Sequence, residues 1–125
     1  EFLAFLDIFP NTEGMTLVIP KKHFNSYAID MPDKEYSDLF MTAKKIGKLL
    51  EQKLKVKRVA IVMEGMGVNH VHVKLYPLHG LSDEQKFGDL KGNMFFDKYP
   101  GYLTTLVGPK ADDRKLKEVA ERIRK

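Results

Sequence analysis

The most informative stretch of the chain is Gly67-Val68-Asn69-His70-Val71-His72-Val73-Lys74-Leu75-Tyr76-Pro77. Polar and apolar residues alternate along it, so we predict a half-exposed strand over residues 70–76 that is stopped by Pro77. Because side chains alternate between the two faces of a strand, His70, His72 and Lys74 are expected to share one face. The apolar side chains between them are expected to point into a core.

The shared face of His70, His72 and Lys74 suits a bound phosphate group. A neutral imidazole is a nucleophile at physiological pH, and its second nitrogen needs an acceptor, such as a backbone carbonyl, for its proton. A neighbouring ammonium can neutralise charge that builds up on phosphoryl oxygens. Gly65 and Gly67, just before the strand, would let a ligand approach the backbone closely.

Two other interpretations of this face remain open from the residues alone. The same alternation describes any half-exposed strand whose polar face is simply solvated. Two histidines two positions apart can also share a metal ion. The chain has no cysteine, and no carboxylate is obviously placed beside the histidines, so a metal site is the less favoured of these two.

The rest of the chain predicts an α+β fold in which one long helix covers an antiparallel sheet of about five strands. Apolar residues recur at three- and four-residue spacing over residues 33–54, as in an amphipathic helix. The other strands are predicted over residues 1–7, 16–19, 59–63 and 102–107, and the first of them is expected to be buried on both sides. A short helix or irregular loop is predicted over residues 81–99 and a C-terminal helix over residues 110–125.

Length and composition fit one domain over residues 1–125. A chain of 125 residues with 43% hydrophobic and 30% charged residues can bury one modest core. No apolar run approaches the roughly 20 residues of a membrane-spanning helix, so no membrane partner is expected. The lack of cysteine fits a reducing, cytoplasmic setting. The net charge of +4 would help to attract a phosphate-bearing ligand but is too small to argue for nucleic acid.

Residues 70–76 resemble the signature of the histidine triad (HIT) family, His-φ-His-φ-His-φ-φ, in which φ is an apolar residue. Residues 5–10 (Phe-Leu-Asp-Ile-Phe-Pro) and 14–23 (Gly-Met-Thr-Leu-Val-Ile-Pro-Lys-Lys-His) resemble the nucleoside-binding strand pair of that family. The order of strand pair, long helix, strand and triad strand agrees as well. The resemblance covers about residues 2–80 and leaves residues 81–125 as a C-terminal extension, and it implies a HIT-like fold.

The resemblance implies a hydrolase or nucleotidyl transferase that acts on dinucleoside polyphosphates or nucleoside phosphoramidates, with purine nucleotides favoured. His72 matches the family nucleophile, which would form a transient nucleotidyl adduct and pass it to water. His70 and Lys74 complete the catalytic set. The residues expected to bind the nucleotide are Asp7, which would hold the ribose hydroxyls, Phe5 and Ile8, which would flank the base, and Met63, Gly65 and Gly67. The resemblance also implies a homodimer and a chemistry that requires no metal or other cofactor.

Several positions depart from the family pattern. Lys74 stands where the triad has its third histidine, and a lysine is normally fully protonated, which makes it a poor proton shuttle. Met66 and Gly67 stand where relatives have Gln and then Ser or Thr. His23 matches a histidine that binds structural zinc in relatives with a Cys-x-x-Cys pair, and without cysteine we interpret it as a structural residue.

These departures keep two alternatives to the hydrolase open. One is a nucleotide-binding or sensing module with little turnover, because Met66 and Gly67 replace the polar residues that act on the phosphate and leaving group in relatives. The other is an enzyme that processes adenylated nucleic-acid ends, as some relatives do. No separate DNA-binding module is visible in the sequence, so nucleic acid ranks as the less favoured partner.

Overall fold

The computed structural model describes residues 1–82 and 92–125. The chain divides into two compact units, residues 1–85 and 86–125. Of the segment predicted as a short helix or irregular loop, residues 81–99, residues 83–91 lie outside the described residues, and residues 92–99 contain no helix. The organisation of residues 1–125 as a single domain stays a prediction.

The described residues of the first unit form a four-stranded antiparallel sheet with a long helix against it. The strands are β1 (Phe2–Leu6), β2 (Thr16–Pro20), β3 (Val59–Val62) and β4 (Val73–Pro77), in the spatial order β1-β2-β4-β3. A short 3₁₀ turn (Ala28–Asp30) precedes helix α1 (Asp33–Leu54). The predicted α+β fold with an antiparallel sheet is confirmed.

Helix α1 has the bounds that the apolar stripe predicts. It begins directly after Pro32, a position where the missing N–H of proline costs little because the first helical N–H groups lack intrahelical partners. It ends at Leu54, and Lys55 then turns the chain with a φ of 55°. Leu39 and Ala43 on its apolar stripe are fully buried.

The core lies between helix α1 and one face of the sheet. Leu39 and Ala43 pack there with the strand residues Val18, Val73 and Leu75, all fully buried. Val71, just before β4, belongs to the same cluster. The apolar residues that alternate with His70, His72 and Lys74 therefore do point into the core, as predicted. The opposite face of the sheet carries Lys74 among the apolar side chains of the neighbouring strands.

Three predictions about the strands were wrong in detail. β1 is not buried on both sides, because it is an edge strand and most of its side chains are exposed. β3 ends at Val62 rather than at Met63. β4 begins at Val73 rather than at His70, since the N–H of Val71 donates to the carbonyl of Phe24 (3.0 Å), beyond the end of β2.

The second unit contains helix α2 (Asp113–Arg124). Asp112 caps its first turn, with its carboxylate accepting from the backbone N–H groups of Arg114 (2.8 Å) and Lys115 (3.2 Å). The C-terminal helix is confirmed, but the predicted strand over residues 102–107 is wrong. In the described part of this unit, Val107 forms only an isolated bridge with Asn93, and a single bridge does not make a ladder. No described helix is long and apolar enough to cross a membrane.

Candidate active site

His72 is held by a hydrogen bond that decides which of its nitrogens can react. Its Nδ1 lies 2.8 Å from the carbonyl oxygen of His70. A carbonyl only accepts, so Nδ1 carries the proton and donates it in this bond. In the neutral ring, Nε2 then carries the lone pair. The backbone acceptor that the sequence required for an imidazole nucleophile is therefore present, and it comes from two residues earlier in the chain.

His70 is fixed on both sides of its ring. Its Nε2 donates to the carbonyl oxygen of Pro20 (2.9 Å), and its Nδ1 lies 2.9 Å from Nδ1 of His23. Because Nε2 must carry the proton, Nδ1 of the neutral ring accepts, and His23 donates through its own Nδ1. His23 thus acts as a structural residue that orients His70. The carbonyl of His70 in turn orients His72.

Lys74 forms an ion pair with Glu64, in which the ammonium donates to Oε1 of the carboxylate. Only 23% of the Lys74 side chain and 14% of the Glu64 side chain are exposed. Burial alone would lower the pKa of Lys74, but the hydrogen bond and negative charge of Glu64 outweigh it and raise that pKa. Burial alone would likewise raise the pKa of Glu64, but the hydrogen bond from Lys74 outweighs it and lowers that pKa. Both groups are therefore charged at neutral pH.

The strand register places Lys74 in the middle of the open face. Directly paired residues point to the same side of a sheet, and one such row runs Phe5, Leu17, Lys74 and Val62. Continuing the β3–β4 register by two residues brings Glu64 opposite His72. The two groups interact electrostatically, since His72 is the smallest of the causes that lower the pKa of Glu64. Glu64, His72 and Lys74 thus form one cluster on this face.

Asp7 lies at the end of β1, next to the row that contains Lys74. Its Oδ1 accepts from the backbone N–H of Phe9 (2.7 Å), and its own N–H donates to the carbonyl of Met15 (2.9 Å). The bond to Met15 continues the register of β1 and β2, so Asp7 lies on the same face as Phe5, and its charge is among the causes that raise the pKa of Lys74. The structure therefore brings the predicted ribose ligand to the same face as the predicted catalytic residues.

The other residues predicted to bind the nucleotide fall into two places. Phe5 is on the open face and 45% exposed, and Ile8 follows β1 and is 82% exposed. Met63 instead packs against the core on the helix side of the sheet. Met63 and Gly65 line a small cavity of about 130 Å³ with aromatic side chains of the helix side, Tyr27, Tyr36 and Phe40.

The two glycines of the turn before the triad residues differ in their surroundings. Gly65 has a φ of +79°, and a Cβ there would lie 2.9 Å from the carbonyl oxygen of Ser26, so a side chain is excluded. Gly67 also has a positive φ (+90°), but a Cβ there would meet nothing within 4 Å. Gly65 is therefore required by packing, whereas Gly67 leaves open space beside the backbone.

Glu64 is the residue of this cluster that the sequence analysis missed. The expectation that no carboxylate stands beside the histidines was wrong. A signal was available, because an antiparallel hairpin that pairs Val62 with Lys74 also pairs Glu64 with His72, but using it requires the register. In the described parts of the chain, no group of three or more histidine or acidic side chains could hold a metal ion.

Comparison with known proteins agrees with this architecture. The sequence model of the HIT domain matches residues 1–81. An uncharacterized HIT-like protein of Methanocaldococcus jannaschii is 40% identical over 95 residues, which are 71% of this chain and 72% of that protein. A solved structure, a histidine triad protein from Clostridium difficile, has a TM-score of 0.53 and 28% identity and covers 67% of this chain and 77% of its own.

A relative with a named activity is the adenosine 5'-monophosphoramidase of Saccharomyces cerevisiae. It is 36% identical over 75 residues, which are 59% of this chain and 47% of the yeast protein. The chain thus spans about half the length of that enzyme. The family match over residues 1–81 coincides with the sheet, the long helix and the His72 cluster. The chain belongs to the HIT domain family.

Proposed function

We propose that this protein is a nucleotide hydrolase or nucleotidyl transferase that works through a covalent nucleotidyl adduct on His72. The observation that carries the proposal is the hydrogen bond from Nδ1–H of His72 to the carbonyl of His70. It fixes both the ring and its tautomer, so that Nε2 is the nucleophile. The named activity of the yeast relative, on a phosphorus–nitrogen bond, supports the same class of reaction.

The proposed reaction has two displacements at the α-phosphorus of the nucleotide. Nε2 of His72 forms a bond to phosphorus, and the bond to the leaving group breaks and leaves its electron pair on that group. Water then attacks phosphorus and releases a proton to solvent, while the N–P bond breaks and its electron pair returns to Nε2. Lys74, in the third triad position, supplies positive charge near the phosphoryl oxygens, and His70 supplies the carbonyl that holds His72.

The proposed substrates are dinucleoside polyphosphates or nucleoside phosphoramidates with a purine base. Asp7, with a carboxylate that accepts hydrogen bonds on the open face, is the proposed ribose ligand. Phe5 and Ile8, which are exposed beside it, are proposed to flank the base. Gly65 and Gly67 are proposed to let the phosphates approach the turn before His70. Met63, which the sequence analysis grouped with these residues, packs on the helix side of the sheet and is not part of the proposed pocket.

The test is intact-protein mass spectrometry after brief mixing with adenosine phosphoramidate or diadenosine tetraphosphate, with AMP release followed in parallel. We expect an adenylate adduct in the parent, and we expect His72→Ala to lower AMP release by at least about 1,000-fold because no other group replaces the nucleophile. His79→Ala is the matched control, since His79 is an exposed histidine whose Nε2 donates to the carbonyl of Glu13. Equal activity of the parent and His72→Ala would contradict the proposal.

A second candidate function, a nucleotide-binding or sensing module with little turnover, is favoured by the Glu64–Lys74 ion pair. This pair keeps Lys74 protonated, so the third triad position cannot accept a proton at neutral pH. Binding of AMP by the parent without adduct or AMP release would select this candidate. The homodimer and the cytoplasmic location stay predictions beside either function.

A further inference from the structure

We propose that Glu64 is a positioning residue of the reaction proposed above, because it holds the ammonium of Lys74 beside His72. The inference rests on the proposed function. It concerns a residue that lies outside the triad and outside the predicted nucleotide-binding residues. Three features of the structure carry it: the register of β3 and β4, the burial of the ion pair, and the charges that surround Lys74.

The register brings Glu64 to the reacting residue. Val62 pairs with Lys74, and Glu64 follows Val62 by two residues, on the same face of the sheet. Its carboxylate accepts from the ammonium of Lys74, which stands two residues after His72 in β4. The carboxylate of Glu64, just after β3, thus contacts Lys74, which is the next residue after His72 on the same face.

The ion pair is more confined than an ordinary surface pair. The Glu64 and Lys74 side chains are 14% and 23% exposed, whereas those of Asp38 and Lys34 on helix α1 are 47% and 82% exposed. A lysine has a long flexible stem and a point charge, so without a fixed partner its ammonium would sample many positions. The half-buried carboxylate of Glu64 therefore restricts the position of the Lys74 ammonium. The ring of a histidine at this place in the strand would need less restriction, because it is rigid.

The charged and titratable groups around Lys74 come from each neighbouring element. They are His72, two residues earlier on the same face, together with Glu64 after β3, Asp7 after β1 and Tyr76 of β4, and the last three favour the charged ammonium. Glu64 makes the side-chain hydrogen bond to Lys74, while one carboxylate oxygen of Asp7 accepts from the backbone of Phe9. Glu64 is thus the residue that sets the position of Lys74 as well as its charge.

The carboxylate also suits the charge that develops on His72. When Nε2 bonds to phosphorus while Nδ1 keeps its proton, the ring becomes an imidazolium. The negative charge of Glu64 opposite the ring stabilises that cation, and the ammonium of Lys74 stabilises the phosphoryl oxygens. The negative charge of the pair therefore faces the imidazolium of His72, and its positive charge faces the phosphoryl oxygens.

The experiment compares the parent with Glu64→Gln, which keeps the shape but removes the charge, and Glu64→Asp, which keeps the charge on a shorter stem. Asp38→Asn is the matched control because it removes a carboxylate from an exposed lysine pair on helix α1. The readouts are the single-turnover rate of adduct formation, the Kd for AMP, the pH profile of the rate, and the titration of the Lys74 ammonium by NMR.

We expect Glu64→Gln to slow adduct formation about tenfold, because an oriented charge is lost, while the Kd for AMP stays within about twofold. We expect Glu64→Asp to recover part of the rate and Asp38→Asn to match the parent. In Glu64→Gln, burial without a partner should move the Lys74 titration, and with it the alkaline limb of the pH profile, to lower pH.

Three outcomes would overturn the inference, and they differ in whether the proposed function survives. An adduct in the parent with an unchanged rate, pH profile and Lys74 titration in Glu64→Gln would remove the positioning role and leave the proposed function intact. Equal losses of rate and AMP binding with an unmoved pH profile would reduce Glu64 to a structural role. Absence of any His72-dependent adduct in the parent would overturn the proposed function and this inference together.

Discussion

The two faces of the sheet use the same strands for opposite purposes. On the face covered by helix α1, Val18, Val73 and Leu75 are fully buried and their neighbours are apolar. On the open face, the alternate positions of the same strands carry Lys74 and Phe5. The contact with Glu64 determines the charge and the orientation of the Lys74 side chain. The alternation of side chains along each strand therefore separates the residues that stabilise the fold from those proposed to carry the chemistry. Substitutions can test that separation from either face.

The largest effect on stability is expected on the covered face. Leu39→Ala removes a fully buried side chain from the contact between helix α1 and the sheet. We expect it to lower the free energy of unfolding by about 3 kcal/mol, through lost burial and the cavity left behind. Urea denaturation followed by circular dichroism measures this loss. Met41→Ala, at an exposed position of the same helix, is the control and should change stability little.

An intermediate effect is expected at the Glu64–Lys74 pair, which lies on the open face but is half-buried. Glu64→Gln should lower the free energy of unfolding by about 2 kcal/mol at neutral pH, since it leaves the ammonium of Lys74 without its charged partner. A loss as large as that of Leu39→Ala would show that this part of the open face belongs energetically to the core. Equilibrium denaturation at several pH values measures it.

The pH dependence of that loss follows from the directions of the two pKa shifts. The pKa of Glu64 is lowered from 4.5, so its contribution to stability is complete above 4.5 and is lost as the pH falls through the lower, folded-state value. The pKa of Lys74 is raised from 10.5, so its contribution is complete below 10.5 and is lost as the pH rises through the higher, folded-state value. The difference between the parent and Glu64→Gln should therefore stay constant across the neutral range and shrink at acidic and at alkaline pH. A difference that varied with pH across the neutral range would contradict the assignment.

The smallest effect on stability is expected at Phe5, on the open face of the edge strand. Because Phe5 is 45% exposed, Phe5→Ala should cost less than about 1 kcal/mol of stability. The same change should weaken AMP binding about tenfold if the ring flanks the base. Isothermal titration calorimetry measures the binding. Leu3→Ala is the matched control, since Leu3 lies two residues earlier on the same face and is 48% exposed, and equal weakening by both variants would remove the proposed role of Phe5.

The sequence predicted the parts of the fold that depend on local pattern. The apolar stripe gave helix α1 its observed bounds, and the alternation after Gly67 correctly sorted Val71, Val73 and Leu75 into the core. It failed where a strand needs a partner. The segment over residues 102–107 has the composition of a strand but forms only one bridge, because β structure depends on pairing with another segment.

The spacing of residues along one strand was therefore enough to predict the apolar core positions Val71, Val73 and Leu75. The proposed nucleophile, His72, was indicated by the resemblance of residues 70–76 to the family signature. Only the tertiary structure decided how the site is held. Glu64 is 10 residues from Lys74, and His23 is 47 residues from His70. Both contacts depend on strand register and on how the chain leaves β2. Register is fixed by the packing of the whole sheet against helix α1, which no single stretch of sequence contains.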